Sequence, residues 1–232
     1  MSMSGDSVEC CWLHRVSCYR VAARAEARGS SLVARAIRLC ALLFLIGAPV
    51  HALAGTLEAQ KQLDAFVVSD ELEVNCFAAD PDIANPIQIE FDARGRLWVV
   101  TSETYPHVVP GVTPNDKLII LEDTDADGRA DKRTVFADNL YVPTGFELGD
   151  GGVYIANQPE LLFLKDTDGD DVADERRVLL SGFGTEDNHH AISAWTWGPG
   201  GWLYFQSGIF LHTQVETPHG VVRLNDGGVF QF

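Results

Sequence analysis

A short apolar strand followed by an acidic loop occurs twice in this chain. Residues 118–131 read LIILEDTDADGRAD and residues 161–174 read LLFLKDTDGDDVAD, so the pattern returns after 43 residues. Each copy follows an apolar hairpin with a glycine-bearing turn, FDARGRLWVV from Phe91 and FELGDGGVYIA from Phe146. A third hairpin, WTWGPGGWLYF from Trp195, leads to VVRLND at Val221. A period of roughly 40 to 50 residues, made only of short strands and glycine turns, predicts a β-propeller of four-stranded blades.

The spacing predicts an all-β fold: a partial propeller of about three four-stranded blades, near 86–137, 143–180 and 192–232, after an N-terminal signal segment. Blade one takes strands at 87–91, 97–101, 118–122 and 133–137, with Gly95 supplying the positive φ of its first turn. Blade two takes 145–148, 153–156, 161–165 and 176–180, and blade three 192–197, 202–206, 221–224 and 229–232. Residues 72–78 read as a lone strand of the kind that closes the last blade of a ring. Propellers typically need four to eight blades, so the sequence reads as the N-terminal piece of a longer protein.

Residues 1–54 carry six arginines, an apolar run at 41–50 and a small-x-small end at Ala52–Ala54. This is the pattern of a secretory signal, with an apolar run too short to span a bilayer. An uncleaved membrane anchor or a basic arm fits the same residues. Export to the periplasm or the extracellular space is expected, with membrane association only through the signal or through segments outside this sequence. Residues 55–70 are a polar-apolar lead-in with one or two helical turns, and the propeller occupies 71–232.

The whole chain has 33 acids and 17 lysines and arginines; three of the acids and six of the bases precede residue 55, leaving 30 against 11 beyond it. Such a surface repels phosphate backbones, which excludes nucleic acid as a partner class. Of five cysteines, only Cys76 lies beyond the leader, where a strand position suits a small buried apolar residue.

In the first acidic loop Asp123, Asp125, Asp127 and Asp131 fall at positions 1, 3, 5 and 9, with Gly128 at position 6. Alternate carboxylates at this spacing can wrap one calcium ion. The second loop repeats the pattern with Asp166, Asp168, Asp170 and Asp174, but has Asp171 in place of the glycine. Thr134 and Arg177 stand at position 12, where an EF-hand needs glutamate, and no flanking helices are expected. Each loop therefore suits either a structural calcium ion stapling the blade or a solvated acidic turn.

Asp187, Asn188, His189 and His190 precede the first strand of the third blade, in a connection that a propeller places at the mouth of its channel. A histidine near its pKa can take a proton from an alcohol while a carboxylate orients it. Adjacent residues on an extended chain point to opposite faces, so one histidine is expected to face the channel. A hydrogen-bonded packing role suits the pair equally. Tyr105, Pro106 and His107 lie in the longest loop of blade one, within reach of the same mouth. Trp195, Trp197 and Trp202 are expected in the core between blades, with sugar stacking the other possibility. Arg94 and Arg96 flank a turn and are expected to be surface charge.

The stretches FDARGRLWVV, LEDTDADGRADKRTVFADNL, PTGFEL, GGVYIA, LLFLKDTDGD, the His189–His190 pair and WGPGGWLY resemble the N-terminal propeller of large membrane-bound dehydrogenases of planctomycetes and related bacteria. More distantly they resemble soluble glucose and sorbosone dehydrogenases, which use pyrroloquinoline quinone. The resemblance covers roughly 71–232, and a histidine eight residues before the glycine of a Gly-Pro turn selects His190. It implies that His190 is the general base that removes a hydroxyl proton while hydride passes to the quinone. In those enzymes the cofactor's calcium sits near the channel, so that role does not pass to Asp123 or Asp166, and the basic residues that hold the quinone lie mainly in later blades. Related chains often carry a cytochrome c domain as electron acceptor; this sequence has no CxxCH motif.

The expectation is an exported propeller fragment of a quinone-dependent sugar or alcohol dehydrogenase, inactive by itself, with His190 as base and Asp187 or His189 as its helper. A non-catalytic calcium-stabilised propeller binding glycans or proteins is the alternative, and a truncated frame without independent function is a third.

Overall fold

The computed structural model describes residues 10–14, 17–23 and 50–232, with side chains from Leu57 onward. The chain divides into two compact units, residues 1–81 and 82–232. In the first unit, β1 (Cys10–His14), β2 (Ser17–Ala23) and β3 (Leu72–Ala79) form an antiparallel sheet in that order. The helix α1 (Val50–Asp64) packs on β3. The strand expected to stand alone is thus paired along its length with β2, from Ser17↔Ala79 to Ala23↔Leu72. The apolar run at 41–49 lies outside the described residues, while Ala52–Ala54 falls inside α1, a longer helix than the one or two turns expected. Among the described residues no helix is long and apolar enough to cross a membrane. Cys76 is half-buried in β3, its thiol 3.8 Å from the Ala78 carbonyl.

The second unit is built from antiparallel meanders. Its first sheet runs β4 (Pro86–Phe91), β5 (Leu97–Thr101), β6 (Asp116–Glu122) and β7 (Lys132–Leu140), neighbours in chain order. Its second repeats this with β8 (Phe146–Gly149), β9 (Gly152–Asn157), β10 (Glu160–Lys165) and β11 (Glu175–Ser181). The third departs from expectation. Here β12 (Ser193–Trp197) pairs with β13 (Leu203–Ser207), and β13 pairs directly with β16 (Gly228–Gln231). The strand expected third, at 221–224, instead belongs to a separate hairpin of β14 (His212–Thr217) and β15 (Gly220–Asn225). A two-residue turn closes that hairpin in register from Thr217↔Gly220 to His212↔Asn225, so β15 pairs with β14 and not with β13. Its β14 strand buries Thr213 and Val215 and reaches the second sheet through Gln214, whose amide donates to the Gly182 carbonyl at 2.8 Å.

Period-two alternation assigns the two faces of the second sheet to two cores. Val153, Ile155, Leu162 and Leu164 pack with Trp98, Val100, Leu118, Ile120 and Phe136 of the first sheet. Tyr154, Ala156, Leu161 and Phe163, on the other face, pack with Trp195, Leu203 and Phe205 of the third. Burying each such side chain contributes roughly 1.5–3 kcal/mol, so the stack is held chiefly by these two interfaces. Trp195 and Trp197 join this core as expected, but Trp202 does not: it is 53% exposed.

The first strands of the sheets meet through side chains. The open edge of β8 receives the Gln88 amide of β4, which donates to the Phe146 carbonyl at 2.7 Å and accepts from the Phe146 amide at 3.1 Å. From the other side the Trp197 indole of β12 donates to the Leu148 carbonyl at 2.8 Å. Gly145 permits this approach, since a methyl group there would lie 2.5 Å from Trp195 Nε1 and 2.6 Å from Gln88 Oε1. Gly145→Ala is therefore expected to cost about 1–3 kcal/mol by overpacking, read as a lower urea midpoint with an unchanged slope.

Arg96 corrects a second expectation, for it is buried, with 6% of its surface exposed. Its guanidinium donates to Asp92 Oδ2 at 2.7 Å and to Asp171 Oδ1 at 2.8 Å, so it ties the β4–β5 turn to the acidic loop of the second sheet. Asp92 Oδ2 also accepts from the Trp98 indole at 3.0 Å. Arg94 alone is the exposed charge expected, reaching Asp171 at 3.2 Å. A guanidinium that must serve two carboxylates from different sheets has to sit between them, and that is what buries it.

Candidate functional site

The two histidines lie on a 3-10 turn, Asn188–His190, capped by Asp187. This corrects the expectation of an extended pair facing opposite ways: the turn brings both rings toward one carboxylate. Asp187 Oδ1 accepts from the His189 amide at 2.9 Å and lies 3.1 Å from His189 Nδ1. Asp187 Oδ2 lies 3.0 Å from His190 Nδ1, an enclosed atom. The distance is that of an ion pair, but the angle falls short of a formed hydrogen bond, a looseness common in sites without substrate. The His189 amide first, then the two imidazoles, hold the Asp187 carboxyl below the usual range. Asp187 is thus ionised at neutral pH and able to keep a proton on His190 Nδ1, which leaves Nε2 as the basic nitrogen.

The loop following β5 supplies one wall of this turn. Asn188 Nδ2 donates to the Pro106 carbonyl at 2.6 Å, and the His189 ring stands edge-on to Tyr105 at 5.3 Å and to His107 at 6.5 Å. The Phe210 ring packs on His190 at 5.4 Å, and the Gly208 amide donates to the His190 carbonyl at 2.8 Å. A second carboxylate–imidazole pair, Glu186 with His212 at 3.1 Å, follows on the exposed side. Sequence reading missed it because 26 residues separate the partners.

The acidic loops lie at the other end of the strands, between β6 and β7 and between β10 and β11. They share one backbone course, with left-handed residues at positions 4 and 6: Ala126 and Gly128 in one, Gly169 and Asp171 in the other. Asp tolerates that conformation, and its side chain here is the partner of Arg96, which accounts for the missing glycine. Carboxylate oxygens of Asp123, Asp125 and Asp127 lie within 4.8 Å of one another, as do those of Asp166, Asp168 and Asp174. Asp131 turns instead to Thr124, whose amide and hydroxyl donate to it at 3.1 and 2.7 Å. Asp170 accepts from the Val172 amide at 2.8 Å. The neighbouring charges of Asp170 and Asp174 raise Asp168, the crowding that a bound cation relieves.

The family model that matches the chain spans residues 58–232, and so includes the histidine turn and both loops. It is described as a domain of unknown function, DUF7133. The chain belongs to this family. No curated protein and no solved structure matches it.

In this DUF7133 chain one further polar cluster lies close to the loops. Glu90 of β4 and Glu147 of β8 face each other between the first two sheets, and Glu90 accepts from the Leu148 amide while its Oε2 is enclosed without a partner. Glu90 also lines a cleft of about 450 Å³ with Arg94, Trp98, Gly149 and Asp166. Burial first, then the charge of Glu147, pushes the Glu90 carboxyl up to about 7, and burial raises Glu147. The folded protein thus holds a proton that the unfolded chain gives up near pH 4.5. The stability this proton brings is present below that pH and is lost as pH rises through about 7. Between pH 5 and 8 the chain is expected to lose stability relative to Glu90→Gln, by less than the full shift because solvent screens this half-buried group, seen as converging or crossing melting curves. An acid inside the apolar strand PIQIEF was the available signal in the sequence.

Proposed function

We propose that residues 82–232 are part of a β-propeller of an exported protein, and that Asp187 and His190 take the hydroxyl proton from a sugar or alcohol whose hydride passes to a redox cofactor held outside the histidine turn. The propeller reading is supported by two four-stranded meanders and a three-stranded sheet stacked face to face, their first strands joined by Gln88 and Trp197. One observation carries the chemistry: Asp187 holds the His190 ring from its Nδ1 side at 3.0 Å, leaving Nε2 to act as base. Pyrroloquinoline quinone, which the resemblance implies, bears carboxylates that need cationic partners. The contacts of the histidine turn are with Tyr105, Pro106, His107, Gly208 and Phe210, with no lysine or arginine among them. The turn thus offers a base and not the quinone's anchors, which the resemblance puts mainly in later blades, so hydride transfer and a cytochrome c acceptor are not assigned to these residues. Dye-linked oxidation by the complete protein, with calcium and the quinone supplied, is the test. Oxidation of a sugar or alcohol supports the proposal. Inactivity across a panel of both, with saturable glycan binding instead, assigns the chain to a binding role.

That second reading, a calcium-stabilised propeller without catalysis, is favoured by the two carboxylate triplets. The donor set is all oxygen, as calcium prefers, and Asp123, Asp125 and Asp127 or Asp166, Asp168 and Asp174 would hold the ion and fix the β6–β7 and β10–β11 connections. Millimolar calcium is expected to raise the melting temperature by several degrees, and Asp123→Ala combined with Asp166→Ala to abolish the rise. An equal rise in that double variant would contradict a site at the loops.

A further inference from the structure

Asp116, the first residue of β6, is 1% exposed and has no cationic partner among the described residues. Four donors converge on its carboxylate instead. The Ser102 hydroxyl donates to Oδ2 at 2.9 Å, the Thr104 amide to Oδ1 at 3.2 Å, the Thr104 hydroxyl to Oδ2, and the Val142 amide to Oδ2 at 3.1 Å. These donors come from two separate segments, the loop after β5 and the connection from β7 to β8. Both segments run on to the histidine turn. Thr104 leads into Tyr105, Pro106 and His107, which meet Asn188 and His189. Val142 leads into Thr144, whose hydroxyl donates to the Ile192 carbonyl at 2.8 Å, two residues beyond His190.

A strained backbone marks the same junction. Val142 has φ +42, a left-handed conformation that is strained for a β-branched residue and persists only where its surroundings enforce it. The bond from its amide to Asp116 is one of those constraints, and the flanking bonds of Tyr141, to Asn157 Oδ1 at 2.8 Å and from the Gln158 amide at 3.1 Å, are the others.

We infer that Asp116 is the positioning residue of the histidine site: it grips the two segments that clasp the 188–192 turn, and so sets where His189 and His190 stand without touching either. Its relevance to turnover rests on the reading of His190 as a base, but its effect on the histidines does not. In Asp116→Asn one acceptor oxygen is replaced by a donor of the same shape, so that two hydrogen-bonding groups at the Asn nitrogen oppose each other.

The experiment is histidine ring NMR and amide exchange on the full chain, for wild type, Asp116→Asn and Arg96→Ala. Arg96 lies at the other end of the strands, at the turn opposite the β5 loop, and its loss destabilises the fold without touching either segment. In Asp116→Asn, exchange at Thr104 and Val142 is expected to rise about 10-fold or more, and the His189 ring signals to shift as Tyr105 moves away. In Arg96→Ala those signals are expected to stay at their wild-type positions. Should Asp116→Asn fail to fold, Thr104→Val removes a single donor and is expected to shift His189 in the same direction. Unchanged His189 signals in a folded Asp116 or Thr104 variant, or an equal shift of those signals in Arg96→Ala, would overturn the inference. Shifted histidines in a protein that oxidises nothing would leave the positioning role standing and remove only the proposed chemistry.

Discussion

On the proposed reading, His190→Ala is expected to lower turnover of the complete protein by about 10²-fold or more while leaving substrate binding within a few-fold of wild type. General-base catalysis by a positioned side chain is worth this much, and its loss appears in kcat, since the proton moves only on the way to the transition state. The ring is two-thirds enclosed and sits against Phe210 and Gly208, so the variant removes a base and leaves a small hole at the surface. Asp187→Asn keeps an acceptor for the His189 amide but can present its amide nitrogen to His190, which favours the wrong tautomer; a substantial loss in kcat with little change in fold is expected. His189→Ala is expected to cost less, because that ring is half exposed and faces Tyr105 and His107. Equal losses for His189 and His190 would mean that the turn, and not one base, carries the effect. A pure binding module would bind its ligand unchanged in the His190 variant.

Arg96→Ala destabilises the fold by about 3 kcal/mol or more, the range found when one partner of a buried ion pair is removed. The Arg96 side chain is 7% exposed and Asp92 13%, so deletion leaves the Asp92 carboxylate enclosed with only the Trp98 indole and backbone amides for company. Asp171 keeps Arg94, but that pair is largely solvated and compensates little. The same geometry sets a pH dependence. Hydrogen bonds from Trp98 and Arg96 outweigh burial and hold Asp92 low, and Arg96 above all holds Asp171 low. Their folded values lie below the unfolded ones, so this stabilisation is present above the ordinary carboxylate range and is lost as pH falls below it. Arg94→Ala is the matched control, expected within about 0.5 kcal/mol of wild type in urea unfolding. Equal effects from the two arginines would show that Arg96 is not the buried clamp.

Much of the frame was legible because its signal is periodic. Strands such as LWVVT and LLFLK are continuous apolar runs, each with a glycine-bearing turn at one end, and both are buried strands in the middle of their sheets. The third sheet was misread where periodicity gives no guidance: VVRLN and VFQ both alternate like strands, and only pairing decides that the second joins β13 while the first folds back on β14. The lone strand at 72–78 failed for a related reason, since its partners lie 49 (72 − 23) to 62 (79 − 17) residues earlier in a segment read as a leader.

At the candidate site the residue types were visible and their geometry was not. Asp187 beside two histidines suggested a base, but a 3-10 turn, which aims both rings at one carboxylate, leaves no mark in three residues. Arg96 read as an ordinary turn-flanking charge, and Asp116 lay in no motif that singled it out. Their importance comes from partners 75 residues away in one case and from two converging segments in the other. Asp171 was the most informative departure, because the residue that breaks the calcium pattern is the one that receives Arg96.

The most direct measurement of the central claim is the tautomer of His190, read from its ring nitrogen chemical shifts at a pH where the imidazole is neutral. The account predicts the proton on Nδ1, facing Asp187 Oδ2, with Nε2 bare, and a change of that state in Asp187→Ala. A neutral His190 with its proton on Nε2, unaltered by loss of Asp187, would contradict it.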